Sequence, residues 1–263
     1  MLFNFRLRPV TEIAPWTPHP HLHWFGLTLG WYWLDVGGIE LFRSTDVLLE
    51  HWRHTYPQAV EQPYDEYQVA RVWEDVLEIL PAVLEPVPLS IERELGVDGP
   101  AWATRVQRWS EDWPDENGGY AALFEQATSW WFARRLPTGY LRWHPQIWFW
   151  RVGEDLWVRW DARYRTSEGL PVWTATTGAH NMPLSHFVEE VRSFDQRLMD
   201  AMAERVKAIQ IHWPHPTVTI DMDGLEREQR LRSMWLSETL HEAANRDSTD
   251  WDQVLVAVKH LHR

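Results

Sequence analysis

Few residues in this sequence are spaced for chemistry. His19-Pro20-His21-Leu22-His23 sets three imidazoles at alternate positions. In an extended chain these share one face, as a catalytic zinc site requires. Pro18 and Pro20 disturb strand geometry and no acidic ligand stands nearby. The alternative for His19, His21 and His23 is a proline-pinned loop with surface-bonded imidazoles, and no metal or other cofactor is expected. His241-Glu242 misses the helical zinc motif because the residue four after His241 is Asn245. Asp221 and Asp223 ahead of Gly224 suit a helix cap better than a divalent cation. The serine-hydrolase elbow, the phosphate loop and the dinucleotide glycine pattern are all missing.

The best polar cluster is Arg159, Asp161 and Arg163, which alternation places on one strand face with Trp157. His180 and Asn181 are expected just beyond the next strand, approaching the same sheet end. A carboxylate between two guanidinium groups stays ionised, which makes it an anchor rather than a general base. The cluster reads as a structural ion-pair ladder, with ligand or partner contact as the functional alternative and catalysis behind both.

Tryptophan is the other resource, with 20 in the chain. Trp31 and Trp33 share one strand face opposite Tyr32, and Trp148 and Trp150 share one opposite Phe149. Both faces of these strands are therefore aromatic, although a sheet needs only one for its main core. The second face must meet helices, a cleft or a partner. The contact candidates are Trp31, Trp33, Trp148, Trp150, Trp157, Arg159, Asp161, Arg163, His180 and Asn181.

The elements that position these residues fall into three lobes, 1–62, 63–140 and 141–263, within one compact domain. Phe3, Phe5 and Leu7 alternate as a strand. Leu22 to Thr28 and Trp31 to Val36 read as strands around a Leu29-Gly30 turn, and Gly37-Gly38 turns into Ile39 to Phe42. Ser44 or Asp46 would cap a short helix burying Val47, Leu48 and Trp52. Val69, Val72, Trp73, Val76, Leu77 and Leu80 follow helical spacing, with Arg71, Glu74, Asp75 and Glu78 outward and Pro81 as punctuation. Trp102, Val106 and Trp109 mark one further helix, and Tyr120 to Trp131 another. A hairpin over Gly153 and a strand over Val172 to Thr176, broken by Thr177-Gly178, form the second meander. A long helix follows from Ser185 to Ile209, then a charged helix from Gly224 and a last one capped by Thr249. His19-Pro20 and His144-Pro145 each precede a similar strand–strand–helix order, so two related β-meander–helix units are expected, packed as one sheet. The fold class is α+β, an aromatic-rich antiparallel sheet covered by helices.

Composition bounds the rest. The 263 residues allow roughly 70–75% of the unfolded surface to be buried. Zero cysteine excludes disulfides and thiolate chemistry. A net charge of −13 disfavours nucleic acid and anionic membranes. The longest uncharged apolar stretch, Trp24 to Leu34, is about half of a spanning helix. A cytoplasmic protein is expected.

Residues 22–43 (LHWFGLTLGWYWLDVGGIELFR), the N-terminal FRLRPV at 5–10, PLSHFVEEVRSFDQRLMDAMAERV at 183–206 and IDMDGLEREQ from 220 resemble an uncharacterised bacterial family, domain of unknown function 5984. The resemblance spans nearly the whole chain and implies no reaction and no catalytic residue. Some members resemble immunity or accessory proteins in general character. The expected function is a binding protein, more an occluder than an enzyme. Its acidic, aromatic surface would engage a basic, toxin-like protein, with Glu61, Asp65, Glu66, Glu111, Asp112, Asp115 and Glu116 as the first carboxylates to test. The alternative is a sugar or other flat small molecule held in a Trp-lined cleft, by binding alone or with catalysis.

Overall fold

A computed structural model describes residues 1–14, 21–55, 62–95, 100–111, 118–213 and 218–261. The first sheet is antiparallel, with β3 (Leu29–Val36) at its centre. β1 (Phe3–Leu7) lies on one side of it, and β4 (Ile39–Leu41) and β5 (Asp65–Gln68) follow each other along the other. The expected turn at Leu29-Gly30 is corrected: Gly30 sits inside β3, opposite Leu7. A Cβ there would come within 2.4 Å of the Arg6 carbonyl oxygen, so glycine serves the close approach of β1 rather than a reversal. The residues before it form only β2 (His21–Leu22) and a 3-10 turn at Gly26–Thr28. β2 pairs in parallel with β9 (Thr219–Ile220). The Gly37-Gly38 turn is present, with positive φ at both residues.

The second sheet is the meander β6 (Gln146–Val152), β7 (Asp155–Asp161) and β8 (Thr177–Pro183). Its third strand begins where the sequence pointed to a break. Trp160 packs its ring over Gly178, which keeps that glycine inside the ladder, while Val172 to Thr176 makes only bridges. The two meanders are separate sheets rather than one.

Two helices bind the sheets together. α2 (Val69–Leu84) is buried along most of its length and contacts β3, β5 and β6. It continues through Pro81 to Leu84, so that proline punctuates nothing. α6 (Leu184–Ile211) buries Phe187, Val191, Phe194, Leu198 and Met202 against β1, β7 and β8. α7 (Met222–Asn245) packs on both helices, capped by Asp221, whose Oδ1 accepts from the Gly224 amide at 2.9 Å. A second core forms under α3 (Leu89–Leu95), α4 (Pro100–Glu111), α5 (Gly118–Phe132) and α8 (Trp251–Leu261). It holds Trp102, Trp109, Trp130, Trp131, Trp148 and Trp150.

Two caps differ from expectation by one residue. α1 (Asp46–Thr55) is capped by Thr45, whose hydroxyl accepts from the Leu48 amide, and Val47 points outward at 53% exposure. α8 is capped by Asp250, whose carboxylate accepts from the Gln253 amide, because Thr249 is committed to Glu85.

Candidate functional site

The register of the second sheet sets Trp148 opposite Arg159, Trp150 opposite Trp157, and Trp157 opposite Asn181, all on one face. Leu156, Val158 and Trp160 face the main core instead. The helices of the second core cover the β6 side of the polar face. Trp131 of α5 stacks on Trp148 at 5.3 Å, and Trp150 stacks on Trp157 at 6.1 Å. Trp148 and Trp150 are thus buried by the chain itself, at 9% and 2% exposure.

Beyond Trp148 the cover ends. A cleft of about 560 Å³ opens between the sheet, α4 and α5, lined by Gln107, Glu111, Phe132, Trp148, Arg159, Asp161 and Arg163 among others. Arg163 grips Asp161 with two bonds, Nε to Oδ1 at 3.0 Å and Nη2 to Oδ2 at 2.5 Å. That hydrogen bonding, with the charge of Arg159 behind it, holds the Asp161 carboxyl below the usual range. Ionised and doubly bonded, it accepts no further proton readily. Thr104 and Ser110 supply hydroxyls, and no histidine lines the cleft among the described residues. The arrangement can stack a flat group and orient it with charge.

His180 and Asn181 are not neighbours of that cluster in the way expected. Both lie within β8, on opposite faces. Asn181 joins the Trp157 face, whereas the His180 ring packs against Gly37 of the β3–β4 turn. Trp31 and Trp33 belong to the outer face of the other sheet, where side chains cap them. The Arg8 guanidinium lies 4.7 Å above Trp31, and Tyr64 stacks on Trp33 at 4.1 Å. Trp31 is buried and Trp33 half-buried. His23 accepts from the Gly26 amide at 3.2 Å; His19 and the His21 side chain lie outside the described residues. No group of three metal-ligating side chains occurs among the described residues.

The acidic residues chosen from sequence fare unevenly. Glu66 is held by Arg8, and Glu111 sits exposed on the cleft rim. Asp65 is drawn inward, and loss of solvation raises its pKa to about 6. Glu61, Asp112, Asp115 and Glu116 lie outside the described residues.

The structure adds two acidic grooves that the sequence did not single out. One, of about 490 Å³ between α2 and α7, is lined by Glu74, Glu78, Glu238 and Glu242 around Trp235. Trp235 stacks on Trp73 at 5.4 Å, and Arg232 neutralises Glu74 at 2.5 Å. The available signal was the four-residue spacing of each glutamate pair, which sets both members on one helix face. The other groove, of about 510 Å³, lies between the β3–β4 hairpin and the start of β8. Asp35, Glu40 and Asp46 line it, with Arg43 as the one cation among the described residues.

Asp75 was expected outward and is instead fully buried, because α2 is covered nearly all round. It pairs with Arg71 at 2.8 Å, and the hydroxyls of Tyr32 and Tyr140 share its surroundings. Burial pushes its pKa to about 7 and that of both tyrosines upward. Perturbed groups of this kind mark functional sites when a cleft reaches them. None of the described cavities is lined by Asp75, so the cluster reads as internal structure.

No helix among the described residues is long and apolar enough to cross a membrane. The profile of a family described as a family of unknown function (DUF5984) matches residues 2–257. Neither the curated proteins nor the solved structures give a match.

Proposed function

We propose that this chain, which belongs to the DUF5984 family of unknown function, is a binding protein that engages a basic protein partner. The observation carrying this reading is the groove between α2 and α7. Glu78, Glu238 and Glu242 are exposed there with no basic residue lining the groove among the described residues, and Trp235 is half-buried between them. Like charges gathered across a groove repel, and a partner's Lys and Arg side chains relieve that repulsion while the indole supplies apolar contact. The mechanism is steering followed by occlusion, as in a toxin-immunity protein of the cytoplasm.

The test is direct calorimetry against the basic product of a neighbouring gene, with an acidic product as control. Substituting Glu78→Gln and Glu238→Gln together should weaken binding and flatten its salt dependence. Tight binding that ignores both salt and these changes would remove the reading.

A second reading is favoured by the cleft at Trp148, Arg159, Asp161 and Arg163. Its volume of about 560 Å³ suits a small flat ligand, and its aromatic wall with charged rim matches such sites.

A further inference from the structure

The backbone of the second sheet is treated differently at its two edges. On β6 each outward residue has one backbone group taken up: the carbonyls of Ile147 and Arg151 accept from the amides of Leu136 and Val87, both at 2.8 Å. The Phe149 amide donates to the Arg134 carbonyl at 2.9 Å. On β8 the pattern is open. The Ala162 amide donates to the Thr176 carbonyl, and the Leu184 amide to the Glu154 carbonyl. These bonds bracket the β7–β8 ladder and fix its phase. In an antiparallel pair, hydrogen-bonded positions alternate with non-bonded ones. Gly178, His180 and Met182 therefore direct their N–H and C=O groups to β7. Thr177, Ala179 and Asn181 direct theirs away from it, and no backbone partner among the described residues takes them up.

An edge of this kind is normally blunted by a charged residue, an early proline or a covering element. β8 reads Thr-Gly-Ala-His-Asn-Met-Pro, without any Lys, Arg, Asp or Glu and with proline only at its last position. Thr177 and Asn181 are exposed and Ala179 is half-buried. Beside the start of the strand lies the groove of the β3–β4 hairpin, where, among the described residues, three carboxylates face one guanidinium. Asp46 is exposed there, and Glu40 is already paired with Arg43 at 2.7 Å.

We propose that β8 is a docking edge for an extended, lysine- or arginine-bearing segment of a protein partner. That segment adds as a further strand along Thr177, Ala179 and Asn181 and lays a cationic side chain toward Asp35 and Asp46. The backbone ladder supplies affinity and the hairpin carboxylates supply the preference for cations. The inference stands apart from the α2–α7 groove, since none of its residues lines that groove.

The test is residue-resolved amide exchange on the intact chain, with a blocked heptapeptide, acetyl-Thr-Lys-Val-Lys-Thr-Lys-Val-amide, as probe. In the free protein the amides of Gly178, His180 and Met182 should exchange slowly and those of Thr177, Ala179 and Asn181 fast. The peptide should slow the second set selectively. The same peptide with glutamate in place of lysine should bind at least about tenfold more weakly. Ala179→Pro removes an outward donor without costing a ladder bond, so it should abolish peptide binding and keep the thermal midpoint. If that variant fails to fold, exchange on the unmodified chain decides alone. Glu78→Gln with Glu238→Gln should leave peptide binding unchanged, which separates this edge from the groove. Three results overturn the proposal: outward amides already slow in the free protein, no response to the peptide, or equal binding of the glutamate peptide. Concentration-dependent self-association that protects the same amides would do so too, by assigning the edge to a second copy of this chain.

Discussion

The Asp75 carboxylate lies 2.8 Å from the Arg71 guanidinium one helical turn earlier, yet Asp75 is fully buried while the Arg71 side chain is 36% exposed. The pair is lopsided: the cation keeps part of its water and the anion loses all of it. Desolvation outweighs the attraction, and the Asp75 pKa rises to about 7. The folded state therefore holds a proton that the unfolded chain has already released. Stability should be highest below the ordinary carboxylate pKa and fall as pH rises from about 4 to about 7. Asp65, raised to about 6, adds to the same slope over the lower part of that window.

Asp75→Asn keeps the shape and removes the titration. It should flatten the pH dependence of the urea midpoint above pH 4 and leave the variant at least as stable as the parent at pH 8. A steeper slope, or a large loss at pH 8, would mean that the charged pair stabilises the fold.

Glu85 joins the two cores. Its carboxylate accepts from the Thr249 amide at 2.6 Å and from the Thr249 hydroxyl at 2.7 Å, fixing the start of α8. It also meets Arg134 at 3.2 Å, a guanidinium with 1% exposure whose pKa burial lowers to about 10. Glu85→Ala strands that charge and frees α8, at a cost of about 3–5 kcal/mol. Arg134→Met, which removes the charge and fills similar volume, should cost less. Chemical denaturation of both variants checks the ordering, and equal losses would count against it.

What the sequence made legible follows from the range of the interactions concerned. The stripes of α2 and α6 and the β6–β7 hairpin were readable because their periodicity is local. The side of Asp75 was not. An outward polar position on an amphipathic helix becomes an interior one only when further layers cover the helix, and β3, α6 and α7 contribute that cover from distant parts of the chain. The same limit explains the mixed fate of the candidate residues. Alternation correctly grouped Arg159, Asp161 and Trp157, and the structure keeps them on one face. It could not show that α5 would spread over Trp148 and Trp150, nor that β8 would start late enough to turn His180 to the other face. The glutamates of α2 and α7 were visible as residues but not as a groove, since residues 78 and 238 meet only through helix packing.

Gly30 offers a check on the corrected strand. Its would-be Cβ meets backbone, the Arg6 carbonyl at 2.4 Å and the Leu7 Cα at 2.8 Å, so no side chain can swing aside to make room. Gly30→Ala should destabilise by about 1–3 kcal/mol by pushing β1 from β3. A turn glycine of positive φ would also resist alanine, so the place of the damage decides rather than its size. Paired exchange rates for the Arg6 and Arg8 amides, faster in the variant, would place the damage at that strand pair.

The Asp161–Arg163 pair separates the structural reading of the cleft from the ligand reading. The Arg163 side chain is 67% exposed, and a pair so open to water contributes little to folding. Asp161→Asn should therefore leave the thermal midpoint unchanged. The substitution frees a guanidinium at the mouth of a cleft walled by Phe132 and Trp148, so the ligand preference should move toward flat anions. Tryptophan fluorescence read against a panel of sugars, nucleotides and aromatic carboxylates measures that movement, with Trp131 and Trp148 as the reporters nearest the site. A lowered midpoint together with a flat response across the panel would assign the pair to the ion-pair ladder alone. An unchanged midpoint with a response confined to the anionic members assigns it to recognition, because a group that does not hold the fold together can select a ligand at no cost to stability.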